Sequence, residues 1–134
     1  MDIYQQICEE LGIENLAFNE DNLFICDLSY AELDNEYHYQ LSIYRNEAEQ
    51  KLCFALTGQN ELPAVIAGDF LTSLCEQALQ PLNGGLGIGM FPGSRFLTVF
   101  KTVALADYYQ GSLSTLLSEL IVLIEEWDNR LLAA

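Results

Sequence analysis

One histidine, four scattered cysteines and two adjacent carboxylate pairs are the groups in this sequence with catalytic or ligating chemistry. His38 is the only histidine. An imidazole acts as general base only beside an oriented partner and a nucleophile, and no G-x-S-x-G nucleophile turn occurs in the chain. Glu9-Glu10 and Glu125-Glu126 could be taken for acid–base pairs. Adjacent residues on a helix point about 100° apart and do not converge on one substrate atom, so both pairs are expected to be solvated. Cys8, Cys26, Cys53 and Cys75 form no C-x-x-C pair. Zinc sites draw their ligands from close pairs, and a free cysteine in an apolar stretch behaves as a small hydrophobe. Gly84-Gly85-Leu86-Gly87-Ile88-Gly89 has the glycine density of a phosphate cradle. A P-loop also needs a following lysine and hydroxyl residue, and a dinucleotide fold needs a preceding strand. Here a helix precedes, a strand follows, and the glycines are expected to permit close backbone approach. No catalytic residue, cofactor-binding residue or metal ligand is therefore predicted, and the chain is not expected to be an enzyme.

The elements that would position these groups follow from size and pattern. The chain has 134 residues, one domain's length, and an apolar fraction of 51%, enough for a core without disulfides or metal. Five basic and 20 acidic residues give a net charge of −15. Such a field repels phosphate backbones and anionic lipid surfaces, so neither nucleic acid nor membrane is an expected partner. No apolar run reaches the ~20 residues of a membrane span. The start, Met1-Asp2-Ile3-Tyr4, lacks the basic and apolar regions of a secretory signal. A cytoplasmic location is the expectation.

Ile3, Ile7 and Leu11 recur at helical spacing, with Gly12 as the stop and Asp2 suited to the helix dipole. Three strand-like runs follow, Leu23 to Leu28, Tyr37 to Tyr44 and Lys51 to Thr57, separated by polar turns that include Asp34-Asn35-Glu36. They predict an antiparallel meander. Alternation places Tyr37, Tyr39, Leu41 and Ile43 on one strand face and His38 on the other. A second helix is predicted from Pro63, suited to a first helical position, with Ile66, Phe70, Leu71, Leu74, Cys75 and Ala78 as its apolar stripe. Pro81 and Asn83-Gly84-Gly85 end it. Strands at Leu86 to Phe91 and Arg95 to Leu105 flank Pro92-Gly93, which fits a type II turn. Ser112 can cap a final helix from Leu113 to Leu131. The predicted fold is α+β, a single domain over residues 1–134 in the order α-β-β-β-α-β-β-α, with helices packed on an antiparallel sheet.

Twelve of the 20 acidic residues fall in the first 50 positions, whereas Lys51 to Phe100 holds only Glu61, Asp69 and Glu76. So uncharged a stretch needs cover from its own core or from a second subunit. Tyr30, Tyr37, Tyr39 and Tyr44 around the strands offer apolar area with a polar tip, which suits a protein-binding surface.

Length, acidity and element order together resemble the class I type III secretion chaperones, the Tir-chaperone (CesT-like) group. The likeness covers essentially the whole chain and is carried most by its second half. Phe70 to Leu79 resembles the family's second helix, Gly85-Leu86-Gly87-Ile88-Gly89 its entry to the fourth strand, and Leu116 to Trp127 with Arg130-Leu131 its final helix. The chain departs from the family where the second helix runs into Leu79-Gln80-Pro81, with Asn83 two residues beyond the usual asparagine turn. The resemblance implies a homodimer in the bacterial cytoplasm. It would bind the N-terminal region of a secreted effector in extended form and keep it export-competent without nucleotide hydrolysis. It also implies effector contacts at Ile3, Ile7, Leu11, Leu23 and Ile25. The implied dimer contacts are Leu71, Leu74 and Ala78 with Leu86, Ile88 and Met90. Independently of the resemblance, the first strand is an edge that can accept an added strand. Two other readings fit the composition: an acidic immunity or inhibitor protein masking a basic toxin, and a regulatory protein-binding module of the same fold.

Overall fold

A five-stranded antiparallel sheet forms the centre of the molecule, in the order β1-β2-β3-β5-β4. The structure, a computed structural model, describes residues 2–32, 35–91, 93–109 and 111–133. Its elements are α1 (Ile3–Leu11), β1 (Leu23–Glu32), β2 (Asn35–Asn46), β3 (Lys51–Glu61), α2 (Gly68–Ala78), β4 (Gly87–Met90), β5 (Phe96–Ala104) and α3 (Ser112–Ala133). Short 3-10 turns occupy Gln80–Asn83 and Leu105–Asp107. The expected order of helices and strands is the observed one. Asp34 in the first predicted hairpin turn and Pro92 in the predicted type II turn lie outside the described residues, as do the side chains of Tyr30 and Tyr37.

Side-chain alternation divides the sheet into two unlike faces. Tyr39, Leu41 and Ile43 of β2, Leu52, Phe54 and Leu56 of β3, and Leu97 and Val99 of β5 are buried on one face. That face is covered by α3, through Leu113, Leu116, Leu120, Ile124 and Trp127, and by Ile7 of α1. Trp127 meets Phe70 of α2 edge to face at 5.3 Å, which sets α2 at the end of this layer.

The helix ends follow local chemistry. Asp2 accepts from the amide of Gln5 at 2.8 Å, and the Gln5 side chain accepts from the Asp2 amide at 3.1 Å. This reciprocal capping box starts α1. Gly12, at φ 72°, ends it in the left-handed region. The second helix begins later than predicted. Leu62 is buried, its amide donates to the Arg95 carbonyl at 2.7 Å, and the Arg95 guanidinium donates to the carbonyls of Leu62 and Pro63. The chain at Pro63 is thus tied to the entry of β5, and α2 starts only at Gly68. Beyond α2 the 3-10 turn ends at Asn83 and Gly84 takes φ 79°. The strands run past their predicted ends, β1 by four residues as its ladder with β2 continues, and β3 by four, where pairing with β5 breaks after Thr57 and resumes at Glu61.

Candidate functional site

The face of the sheet opposite the helices has no helix across it among the described residues. Its residues are the alternate set: Leu23, Ile25 and Asp27 of β1, Gln40, Ser42 and Tyr44 of β2, Cys53, Ala55 and Thr57 of β3, and Thr98 and Phe100 of β5. Register aligns these residues in rows across the sheet. Ile25, Ser42, Ala55, Phe100 and Gly87 form one row. Its centre, Ser42 and Ala55, is small, and Ile25 and Phe100 on either side of that centre are large and apolar. The result is an apolar trough of about 580 Å³ bounded by Leu23, Tyr44, Met90, Phe91 and Phe100, with Ser42, Ala55 and Gly89 within it.

Two glycines shape the trough differently. A Cβ on Gly87 would overlap the ring of Phe100, so only glycine lets that ring lie against the β4 backbone. Gly89 has nothing within 4 Å of the position a Cβ would take. One glycine seats a wall, and the other leaves the floor open. The sequence pointed to close backbone approach in this run, and Gly87 supplies it within the chain itself.

The trough becomes polar at one end. Thr57 and Thr98 share a hydroxyl–hydroxyl hydrogen bond of 2.9 Å, and Asp27, His38 and Gln40 line an adjoining hollow. Ser42 is 3% exposed, and its Oγ has no hydrogen-bond partner. Cys53 lies in the trough with its thiol pushed above the ordinary value by burial, against the opposing hydrogen bond with Thr102. Cys26, on the helix-covered face, is also pushed up, by burial first and the charge of Asp27 second. Both thiols stay protonated at neutral pH, the opposite of an activated nucleophile. Among the described residues no three His, Cys, Asp or Glu side chains gather as a metal site.

The residues suggested for effector contact do not share one surface. Leu23 and Ile25 lie on the trough face, Ile25 exposed. Ile3 and Leu11 are partly buried against the core on the other side. Ile7 is 0% exposed and is a core residue. This corrects its placement: the middle of the α1 stripe faces inward, and only the ends of the stripe approach solvent. Tyr44, Phe91 and Phe100 are the trough residues that the sequence did not assign. Tyr44 was noted only for its type, and the in–out alternation of β5 held the signal for Phe100.

The residues suggested for dimer contact surround a second apolar surface. Not one residue of α2 is buried. Leu71, Leu79 and Leu82 are 47%, 62% and 81% exposed, and Ala78 and Met90 are exposed as well. Leu74 and Leu86 are half-buried against the core. Ile88 is buried and pairs with Val99, so its side chain fills the chain's own core and cannot serve as an interface residue. The strand's two-residue period explains this, since Ile88 points to the helix-covered face while Gly87 and Gly89 point away. Gln77 ties α2 to β4 by donating to the Leu86 carbonyl at 2.8 Å.

All five cations are engaged within the chain. Arg45 pairs with Glu47 at 3.2 Å and lies over Phe18, Lys51 with Glu49 at 3.5 Å, and Lys101 with Glu119 at 3.7 Å. Arg130 pairs with Glu126 at 3.2 Å and covers Trp127, and Arg95 holds the Leu62 and Pro63 carbonyls. Among the described residues no lysine or arginine is left free to offset the net charge of −15.

On the far side, Glu10 of α1 accepts from the Tyr108 hydroxyl at 2.7 Å and from the Gly111 amide just ahead of α3. Burial, the hydrogen bond and the charge of Glu10 raise the Tyr108 phenol far above its ordinary value. This contact fastens the terminal helix to the body.

No protein-family profile matches the chain, and no curated protein sequence matches it. Solved structures do. A chain of the HopA1–SchA chaperone–effector complex superposes with a TM-score of 0.65 at 17% identity, over 93% of this chain and 89% of that one. A chain of the ExsC–ExsE complex superposes with a TM-score of 0.68 at 13% identity, over 98% of this chain and 97% of that one. At these identities the likeness is one of fold. The chain shares the fold of the chains it matches in these two complexes.

Proposed function

We propose that this protein is a non-enzymatic, cytoplasmic chaperone that holds the N-terminal region of a secreted effector in extended form. One observation carries the proposal: an apolar trough on a sheet face that no helix covers among the described residues. Exposed contiguous apolar surface on a soluble domain marks a place where another molecule sits. The fold likeness supports the choice of partner, since one neighbour is a chaperone–effector complex. Leu23 and Ile25, joined by Tyr44, Phe91 and Phe100, are the proposed contacts. Ile3 and Leu11 extend them at the ends of α1.

The protein acts as a homodimer in this proposal. Leu71, Leu74, Ala78 and Met90 contribute to the contact, with Leu79 and Leu82 beside them. The outward apolar side of α2 supports this: Phe70 and Leu74 pack on the chain's own core, whereas Leu71, with Leu79 and Leu82 beyond the helix, is left exposed, and packing of an amphipathic face supplies most of a helix's stability. No nucleotide is used. No described helix is long and apolar enough to cross a membrane.

The test is capture of the tagged protein from its native cells, with light scattering on the recovered complex. Two copies holding one secreted protein through its N-terminal region is the expected result. A single copy bound to a folded, inactivated toxin would overturn the proposal in favour of an inhibitor.

A further inference from the structure

Face charge and a buried hydroxyl together describe what should lie in the trough. The apolar end, around Leu23, Tyr44 and Phe100, gives way along β1 to Asp27, two residues beyond Ile25 on the same face. At that end the register also pairs Glu61 with Phe96. Both carboxylates are exposed, and neither has an ion-pair partner among the described residues. Among the described residues the five lysine and arginine side chains are engaged elsewhere, and His38, which lines the same hollow as Asp27, has contacts of its own. Within the trough, Ser42 Oγ is buried with its hydrogen-bonding capacity unused. A buried hydroxyl without a partner carries an unrelieved desolvation cost, which an occupant with polar backbone groups removes and a hydrocarbon chain does not. The surrounding field of −15 also disfavours an anionic lipid.

We infer that the trough takes a polypeptide segment whose apolar stretch ends in a lysine or arginine, and that Asp27 with Glu61 selects for that cation. This rests on the partner-binding proposal above and adds the charge of the partner. The apolar stretch provides most of the binding, and the carboxylates fix its direction along the strands and reject an acidic residue at the same point.

Short fluorescein-labelled peptides test this. They share one central apolar stretch and differ only in carrying Lys, Gln or Glu at its end. The expected order of affinity for the wild type is Lys, then Gln, then Glu, with about a threefold to fivefold step for an exposed pair. High salt flattens the order, and the double variant Asp27→Asn, Glu61→Gln removes it while keeping binding of the Gln peptide. Gly89→Leu is the control for the trough itself, because open space surrounds that position. Its melting temperature should match the wild type, and all three peptides should lose affinity. If Gly89→Leu abolishes binding but Lys and Glu peptides bind the wild type equally, the charge inference is wrong and the trough stands. If Gly89→Leu binds like the wild type, or no peptide binds, the trough is not the docking surface and both proposals fall.

Discussion

The ring of Phe100 lies against the bare backbone of Gly87, in space that any Cβ would occupy. Replacing Gly87 with alanine forces Phe100 out of its place and should destabilise the protein by about 1–3 kcal/mol, the usual cost of overpacking. Gly89→Ala, one pleat further on the same face, meets nothing and should change stability by less than about 1 kcal/mol. Urea midpoints of the two variants measured side by side decide the matter, and equal losses would refute the assignment.

Ile7 and Ile25 separate core from surface. Truncating a fully buried isoleucine to alanine costs about 2–5 kcal/mol, so Ile7→Ala should lower the urea midpoint sharply. Ile25→Ser should leave the midpoint nearly unchanged and weaken capture of the partner. A variant Ile25→Ser that unfolds while Ile7→Ala does not would reverse the two roles.

The α2 surface makes a prediction about assembly. Leu71→Arg and Leu79→Glu place charges in a patch that the single chain leaves exposed. Each should raise the dimer dissociation constant by at least about tenfold, the scale of a lost interface anchor, while circular dichroism retains the native signal. Light scattering across a dilution series reads this directly, and unchanged dimers in both variants would place the contact elsewhere.

Asp128 gives a pH dependence with a definite sign. Its carboxyl lies against Gly58 and is raised above the ordinary value by burial first, then by the charge of Glu125, against a hydrogen bond from Asn60. The folded state therefore holds the proton more tightly than the unfolded state. The stabilisation is complete below the unfolded aspartate value and declines as pH rises through the raised folded value. Above the raised folded value the charged, partly unsatisfied carboxylate is a net cost, and there Asp128→Asn should stabilise the protein by about 1 kcal/mol. The substitution should also flatten the slope of stability against pH above the ordinary aspartate range. A destabilised variant with the slope intact would contradict the assignment.

Tyr108 and Glu10 predict local rather than global behaviour. Tyr108→Phe deletes a hydrogen bond to a charged acceptor, typically about 1.5–3 kcal/mol. Amide exchange in Gln5 to Leu11 should quicken more than exchange in β2 and β3, because α1 is fastened at its end by this contact. Uniform quickening across the chain would show that α1 and the sheet unfold as one unit.

Much of the fold was legible in the sequence. The alternation of Tyr39, Leu41 and Ile43 determined the buried face of β2, and Gly12 and Gly84 marked helix ends where left-handed backbone is needed. The start of α2 was not legible from Pro63. That position is governed by Arg95, 32 residues away, which engages the carbonyls a helix there would need. The candidate site was legible in part. Leu23 and Ile25 were suggested by the family resemblance and by the edge position of the first strand, but the trough depends on rows across four strands, and which residues share a row is a matter of register. Ile7 and Ile88 show the same limit from the other direction. An apolar residue on a predicted stripe can face a partner or the chain's own core, and periodicity alone does not distinguish the two.

The uncovered side of α2 bears on how the protein behaves as it is made. Were a second copy to cover its exposed leucines, as proposed, folding would be tied to abundance by mass action. Thermal melting should then shift upward as the sample is concentrated. In the cell, newly synthesised chains would then be least secure when scarce.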